Sequence, residues 1–356
     1  MNKFNSTLTI ALLAITFTAC KKNTDEPIIV VPPSDGSTLT LNGLVGTELG
    51  SAAGNSVYVD FSTDKQTPVL RSSWDLGFYS GADFRVILNN TTGAGAKVIT
   101  ASNASLATVS EADTLGLTLA VNQANPANTD FAYFDAINGN LSSTVIPVVS
   151  ATAADNKIII LNRGTGGGIA ARSWIKLKVT RNTSGGYTLQ YGKIKETTNF
   201  TTVDIPKDGN FDFKFVSLTN GAIVNAQPEK ANWDLVWTYS VYQTLFSNVL
   251  VPYNFSDLIF LNNSNGVSAG VVATTTVSYA DFKESNISAV NFKNERTAIG
   301  SDWRSTSPAT GVKTDIFYVI KDAAGNVYKL KFISMGAGDA GTRGKPVIEY
   351  KLVKKG

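Results

Sequence analysis

Short runs of alternating apolar and polar residues follow one another along the chain from residue 39 onward. Such period-two alternation is typical of β-strands that bury one face. Thr, Val, Ile and aromatic residues fill these runs, for example at 57–61 and 174–180, and Gly, Asn and Asp separate them. Stretches with helical periodicity are few and short. The pattern therefore predicts an all-β fold.

Two pairs of these runs are close enough in sequence to form β-hairpins. One pair lies at 174–193 and has Asn-Thr-Ser-Gly-Gly between its strands. The other lies at 316–333 and has Asp-Ala-Ala-Gly-Asn in the same place. Both connections consist of residues that favour turns, so both pairs are predicted to be antiparallel hairpins.

The strand pattern occurs twice along the chain. Ser-Trp-Asp-Leu-Gly-Phe at 73–78 recurs as Asn-Trp-Asp-Leu-Val-Trp at 232–237. Leu-Asn-Asn-Thr-Thr-Gly at 88–93 recurs as Leu-Asn-Asn-Ser-Asn-Gly at 261–266, and one of the two hairpins then follows each copy. An internal repeat of this kind predicts two copies of one structural unit.

We place the boundary between the two copies at 203–209. The chain is thus predicted to contain two tandem antiparallel β-sandwich-like modules, at 45–205 and 206–356. They follow a flexible tether at 20–44, which is polar and interrupted by several prolines.

The N-terminal residues have the pattern of a lipoprotein signal peptide. Lys3 provides a positive charge, residues 8–17 are largely apolar, and Phe-Thr-Ala-Cys at 17–20 forms a cleavage site ending in cysteine. The apolar stretch is shorter than the roughly 20 residues that span a membrane. We therefore predict a signal peptide at 1–19 and a lipidated Cys20, which would anchor the protein at the outer membrane or cell surface.

Composition removes most catalytic mechanisms. The chain has no histidine and one cysteine, which excludes His-based acid–base catalysis, Ser-His and Cys-His nucleophiles, and His/Cys zinc sites. The 31 basic and 28 acidic residues give a net charge of +3, too small for a nucleic-acid-binding surface. We therefore expect neither an enzyme nor a partner that is a nucleic acid.

The Trp-Asp-Leu-x-Phe segment at 74–78, the Asn/Gly/Thr-rich loop after it and the closing hairpin at 316–333 together resemble the HmuY family of Bacteroidota surface lipoproteins. This resemblance implies an all-β fold, lipid attachment, and capture of haem for a TonB-dependent outer-membrane receptor. Two HmuY-like modules in one chain depart from the family's usual single module.

The resemblance also raises the question of how haem would be held. Haem iron takes axial ligands such as imidazole, thioether or phenolate. After removal of the signal peptide, Met335 is the remaining methionine, and Tyr79 stands where the family often carries a histidine. The alternatives are that Met335 fills an apolar core and that Tyr79 is a cross-strand aromatic residue.

Tryptophans near the repeated loops are further candidates for binding. Trp74, Trp233 and Trp237 have large amphipathic rings that suit stacking on a flat ligand, although a tryptophan at the start of a strand also commonly covers a core. Asp75 and Asp234 follow equivalent tryptophans. Their equivalence favours a structural role, in which each carboxylate accepts backbone N–H bonds.

The sequence thus predicts a lipid-anchored surface protein that binds haem or a related small molecule. The alternative is a non-haem interaction protein that contacts an outer-membrane transporter or an extracellular polysaccharide through its β modules.

Overall fold

Twenty β-strands form the regular structure of residues 32–306 and 311–356, the part of the chain described by a computed structural model. In chain order they are β1 Gly36–Thr40, β2 Asn55–Asp60, β3 Lys65–Leu70, β4 Leu76–Tyr79, β5 Val86–Leu88, β6 Gly95–Ile99, β7 Ile158–Asn162, β8 Ile175–Arg181, β9 Tyr187–Lys193, β10 Thr201–Ile205, β11 Phe213–Ser217, β12 Ala222–Val224, β13 Leu235–Phe246, β14 Val249–Leu261, β15 Ser268–Ala273, β16 Arg304–Ser305, β17 Gly311–Val312, β18 Ile316–Lys321, β19 Val327–Ser334 and β20 Val347–Lys354.

Helical structure in these residues is limited to short 3-10 segments, so the all-β prediction is confirmed. These segments are Gly50–Ala52, Arg71–Ser73, Asn90–Thr92, Glu111–Thr114, Asn128–Tyr133, Leu141–Ser143, Ala153–Asp155, Gly166–Gly168, Asn263–Asn265 and Glu284–Ala289. The predicted signal peptide and Cys20 lie outside the described residues.

The strands form four larger antiparallel sheets and one small one. Two sheets have five strands, in the orders β10-β9-β8-β7-β6 and β1-β20-β19-β18-β15. Two have four strands, in the orders β12-β11-β4-β5 and β14-β13-β2-β3, and β16 pairs with β17. Both predicted hairpins are present, as β8–β9 and β18–β19.

β1 lies inside the segment that the sequence analysis assigned to the tether. It pairs with β20 along its whole length, from Gly36 opposite Lys351 to Thr40 opposite Val347. The next residue, Leu41, is completely buried in an apolar core. Burial of this side chain and the ladder to β20 are what order the segment.

The two four-stranded sheets each combine strands from both copies of the repeat. The hairpin β2–β3 precedes the first Trp-Asp segment but pairs with β13, which follows the second. Conversely, the hairpin β11–β12 precedes the second Trp-Asp segment and pairs with β4, which follows the first. The sheets therefore cross the boundary placed between the two copies, and residues 33–356 form one compact unit.

The repeated aspartates fix this exchange of hairpins. Oδ2 of Asp75 accepts a hydrogen bond from the backbone N–H of Leu218, just after β11, at 2.8 Å. Oδ2 of Asp234 accepts one from the N–H of Phe61, just after β2, also at 2.8 Å. Both aspartates thus accept backbone N–H bonds, and each bond reaches the hairpin of the other copy.

The repeated asparagines hold the turn that carries each tryptophan. Nδ2 of Asn89 donates to the carbonyl oxygen of Trp74 at 2.7 Å, and Nδ2 of Asn262 donates to that of Trp233 at 2.8 Å. These bonds explain why the Leu-Asn-Asn segment recurs together with Trp-Asp, because the two segments form one hydrogen-bonded unit.

Two apolar cores lie between the sheets. The sheet that contains β2 packs on the one that contains β20, and this core includes Val57, Trp237 and Met335. The sheet that contains β4 packs on the one that contains β8, and this core includes Leu76 and Leu177. Each four-stranded sheet therefore covers a five-stranded sheet with one face, as in a β-sandwich.

Candidate functional site

A cavity of about 230 Å³ lies between the other faces of the two four-stranded sheets. Side chains alternate between the two faces of a strand. Along β2, Val57 and Val59 accordingly point into the core, whereas Ser56 and Tyr58 line the cavity. The same alternation that predicts the strands from the sequence thus supplies the wall of the cavity.

Two aromatic pairs, one from each half of the repeat pattern, form opposite parts of the wall. Trp74 packs edge-on against Phe215 of β11, with ring centroids 4.7 Å apart. Trp233 packs edge-on against Tyr58 of β2, with centroids 5.1 Å apart. In each pair the tryptophan belongs to one copy and its partner to the exchanged hairpin of the other, so the cavity exists only because the hairpins are exchanged.

Three polar side-chain atoms in this wall have no hydrogen-bond partner within the described residues. They are Oδ1 of Asn90, Oε1 of Gln227 and Nε1 of Trp233. Asn90 is 8 % exposed and Trp233 7 % exposed, so water reaches neither side chain freely. A buried polar group without a partner costs about 1–3 kcal/mol. A ligand with hydrogen-bonding groups at these positions would recover that energy.

The cavity is also lined by three charged groups from outside the repeated segments, Asp135, Asp212 and Arg296. Oδ2 of Asp212, directly before β11, accepts a hydrogen bond from Oγ of Ser264 at 3.0 Å. The Asp135 carboxylate accepts backbone N–H bonds from Leu88 at 2.6 Å and Val145 at 2.8 Å, yet burial raises its pKa to about 6. The Arg296 guanidinium lies 3.9 Å from the centre of the Phe260 ring, and burial lowers its pKa to about 10. Arg296 therefore stays positively charged at neutral pH and presents a cation beside an aromatic wall.

Sequence reasoning missed Asp135 and Arg296. Neither residue belongs to a motif or to a repeated segment, and each reaches the cavity from a long connection between strands. No signal in the sequence alone identifies them.

The structure brings three of the predicted binding residues together at the cavity, namely Trp74, Tyr79 and Trp233. Trp237 and Met335 lie elsewhere, in the core beneath the sheet that contains β2. Met335 is 0 % exposed, so its thioether is enclosed by apolar side chains. This position matches the alternative given above, in which the methionine fills a core.

Tyr79 is held at the end of β4 by its neighbours. It stands directly opposite Phe213 in the sheet, with ring centroids 5.5 Å apart. Its hydroxyl end lies over Gly81, where a Cβ atom would come within 2.4 Å of the Tyr79 oxygen. Tyr79 is thus both a cavity residue and a cross-strand aromatic, and the end of its ring lies over the open space at Gly81.

In two other depressions, of about 440 and 400 Å³, most of the charged lining groups already have partners. In the first, Lys195 pairs with Glu111 at 3.2 Å. In the second, the Glu48 carboxylate accepts three backbone N–H bonds, and Arg71 donates to the carbonyl oxygens of Ala53 and Gly167. Their charges therefore serve the fold, and the inter-sheet cavity is the stronger candidate for a binding site.

Among the described residues, no group of three or more His, Cys, Asp or Glu side chains is arranged to hold a metal ion. None of the helices in residues 32–306 and 311–356 has the length and apolarity needed to cross a bilayer.

Comparison with known proteins gives one family. The family model described as HmuY protein matches residues 52–350, which includes both copies of the Trp-Asp segment and every strand that lines the cavity. No curated protein and no solved structure gives a significant match. The match extends over most of the chain, which therefore belongs to the HmuY family of surface-associated, haem-binding proteins.

Proposed function

We propose that this protein is a lipid-anchored binding protein of the cell surface that captures haem or a related ligand in the inter-sheet cavity. The observation that carries the proposal is the cavity wall, where two equivalent aromatic pairs surround polar atoms that lack partners. Membership of the HmuY family supports a haem-type ligand. Anchorage rests on the signal-peptide pattern that ends at Cys20.

The polar groups at the cavity support binding rather than catalysis. Oγ of Ser56 and Oγ1 of Thr238 are hydrogen-bonded to each other at 2.7 Å, so neither hydroxyl is paired with a base. The Asp135 carboxylate already accepts two backbone N–H bonds. An activated nucleophile needs an adjacent general base. The arrangement in this wall that comes nearest is Ser264, whose Oγ donates to Oδ2 of Asp212 at 3.0 Å. That same oxygen accepts a second hydrogen bond from Nδ2 of Asn265 at 2.8 Å, so the carboxylate holds a turn together. The HmuY family is likewise a family of binding proteins.

The small volume of the cavity suits transfer of the ligand to a receptor. A cavity of about 230 Å³ is smaller than the roughly 300–1,000 Å³ of most ligand pockets. A porphyrin-sized ligand would therefore enter with one edge and leave the rest outside the protein. Such partial burial suits delivery to a TonB-dependent receptor, which could take hold of the exposed edge before this protein releases the other.

A titration with haemin tests the proposal. We expect a saturable shift of the Soret band and saturable quenching of tryptophan fluorescence, because Trp74 and Trp233 line the site. Leu141→Trp, which adds bulk at the cavity wall, should abolish the shift, whereas Leu115→Trp, at a side chain that is 80 % exposed elsewhere, should preserve it. Absence of both signals in the unmodified protein would rule out haem capture.

A second candidate function, interaction with an outer-membrane transporter, is favoured by the hairpin β13–β14. Only residues Leu235–Trp237 of β13 pair with β2, so within the described residues no third strand pairs with the distal part of the hairpin. Gln123 and Asn128 form side-chain hydrogen bonds with the backbone of its β14 edge, at Asn254 and Leu250. Its tip exposes four large apolar side chains, Leu245, Phe246, Val249 and Leu250. Residues 235–256, which form most of the hairpin including its tip, contain no charged residue. Proteins usually protect exposed strands with charge, so an uncharged apolar tip indicates a contact surface.

This second function is tested by placing charge at the tip. Leu245→Asp and Leu250→Asp should reduce recovery of the protein in a cross-linked complex with outer-membrane transporters. Leu115→Asp provides the matched control, because it adds the same charge at another exposed leucine. Equal cross-linking of all three variants would argue against the hairpin as the contact surface.

A further inference from the structure

We infer that the cavity recognises the organic ring of its ligand through hydrogen bonds and aromatic contacts, without a bond to the metal ion. This inference rests on the proposed function, because it specifies which part of a haem-type ligand the same cavity binds. Three features of the described residues support it. They are the side chains that could coordinate iron, the contacts that hold the Tyr58 and Tyr79 phenols, and the uncharged polar atoms of the cavity wall.

The donor set does not fit coordination of iron. Proteins bind haem iron through histidine, cysteine, methionine or tyrosine. This chain has no histidine, and Met335 is fully enclosed in a core that lies on the other side of the β2 sheet. Among the residues that line the cavity, Tyr58 and Tyr79 are the ones with an oxygen suited to ferric haem.

Both phenol side chains are held by contacts within the protein. The Tyr58 hydroxyl donates to the carbonyl oxygen of Ala226 at 3.2 Å, and burial raises its pKa above the usual value of 10, which opposes the phenolate that iron prefers. The Tyr79 ring is packed on Phe213, with its hydroxyl end against Gly81. Coordination would require either ring to leave these contacts.

The groups that remain available are suited to an organic ligand. Asn90, Gln227 and Trp233 contribute uncharged hydrogen-bonding atoms that have no partner in the described protein. A porphyrin carries carboxylate arms, and the Arg296 guanidinium offers a positive charge in the same wall. The aromatic pairs supply apolar surface for the ring itself. Each of these contacts is the same whether or not the ring holds a metal.

The test compares haemin with iron-free protoporphyrin, each titrated into the purified full-length protein after removal of its signal peptide. We expect the two dissociation constants to agree within about threefold, since a contribution from a metal bond would add to haemin alone. Gln227→Ala and Trp233→Phe should weaken both ligands by roughly tenfold, as expected for loss of a hydrogen bond to a buried group. Gln243→Ala, at an exposed glutamine of the hairpin, is the matched control.

The substitution Tyr79→Phe distinguishes recognition of the organic ring from coordination of iron by the Tyr79 oxygen. If the ring is recognised, the substitution changes both dissociation constants by the same factor. Haemin that binds more than tenfold tighter than the iron-free ring, with the difference lost in Tyr79→Phe, would overturn the inference and leave haem capture intact. Failure of both ligands to bind would instead overturn the proposed function itself.

Discussion

At the scale of single residues, Asp75 and Asp234 show how two copies of one motif diverge. Both accept a backbone N–H from the exchanged hairpin. Asp75 also forms ion pairs with Arg163 at 2.8 Å and Arg172 at 3.0 Å. Asp234 has no such cation among residues 32–306 and 311–356, and burial, reinforced by the neighbouring Asp60 and Asp322, raises its pKa to about 8. Asp75 is thus paired with two arginines, whereas its equivalent Asp234 is mostly protonated at neutral pH.

This difference predicts a pH-dependent stability that originates at Asp234. An aspartate in the unfolded chain titrates near 3.8, and this one titrates near 8 in the folded protein. The folded state therefore binds more protons between these values, and the free energy of unfolding falls as the pH rises from about 4 to 8. The full effect is on the order of 6 kcal/mol, at 1.36 kcal/mol for each pKa unit. Asp234→Asn should remove this slope, which urea unfolding at pH 5 and pH 8 measures.

Asp75→Asn is the matched control for that experiment. It keeps the acceptor oxygen but leaves two largely buried arginines without a counter-charge, so we expect a loss of about 3–5 kcal/mol. At pH 8, Asp234→Asn should therefore raise the free energy of unfolding, whereas Asp75→Asn should lower it. An unchanged slope in Asp234→Asn would mean that another group causes the pH dependence.

At the scale of elements, the central strands of the two five-stranded sheets contain a second pair of equivalent residues, Lys176 in β8 and Lys329 in β19. Lys176 stands opposite Ile160 of β7, and Lys329 stands opposite Val319 of β18. Both lysines are buried, because the face of the strand on which each lies is covered by loops. Nζ of Lys176 donates to the carbonyl oxygen of Val109, and Nζ of Lys329 donates to those of Tyr279 and Phe282 at 2.6 and 3.0 Å. Each lysine thus attaches a long connection to the outer face of a five-stranded sheet.

Lys329→Met should release the connection around Tyr279 and Phe282 while preserving the apolar stem of the side chain. Carbonyl groups that lose a buried donor cost about 1–3 kcal/mol, so the free energy of unfolding should fall by that amount. Hydrogen exchange should accelerate at residues 279–284 first. Lys321→Met, at an exposed lysine of β18, should change neither quantity. Equal exchange in both variants would show that the lysine does not hold the loop.

The elements that the sequence predicts are those determined by neighbouring residues, and the elements that it does not predict depend on pairing between distant segments. Strands such as β2 and β8 and the turns of both hairpins are set by alternation and turn residues, and these were predicted. The tip of β13–β14 also has a local cause, because Ser247 and Asn248 both adopt positive φ values, as in a two-residue type I′ turn. The exchange of hairpins cannot be read from neighbouring residues. The strands that follow the two Trp-Asp segments, β4 and β13, are similar in sequence, so either hairpin could pair with either strand. The candidate site could therefore be predicted only in part: Trp74 and Trp233 follow from the repeat, but their partners across the cavity do not.

At the scale of the whole molecule, the lipid anchor and the folded part are expected to act independently. The anchor would be attached at Cys20, whereas the cavity proposed to bind the ligand is lined by residues within 52–350. Cys20→Ala should therefore move the protein from the membrane fraction to the soluble fraction of expressing cells and leave its affinity for haemin unchanged. Metabolic labelling with a radioactive fatty acid checks the attachment directly. Labelling that persists in Cys20→Ala would place the lipid at another residue.

The exchanged hairpins make a final prediction about the two halves of the chain. Cutting between residues 205 and 206 separates β4 from β11 and β13 from β2, so each half loses the hairpin that completes its four-stranded sheet. The intact protein should unfold in one transition, with coincident fluorescence and circular dichroism curves. Residues 33–205, which keep β1, and residues 206–356, expressed separately, should lack a cooperative transition and regain it when mixed. If either half folds cooperatively as a monomer, its hairpin has closed onto the strand of its own copy. The two copies would then be autonomous modules, and the inter-sheet cavity, which takes one wall residue of each aromatic pair from each copy, would be absent from the isolated half.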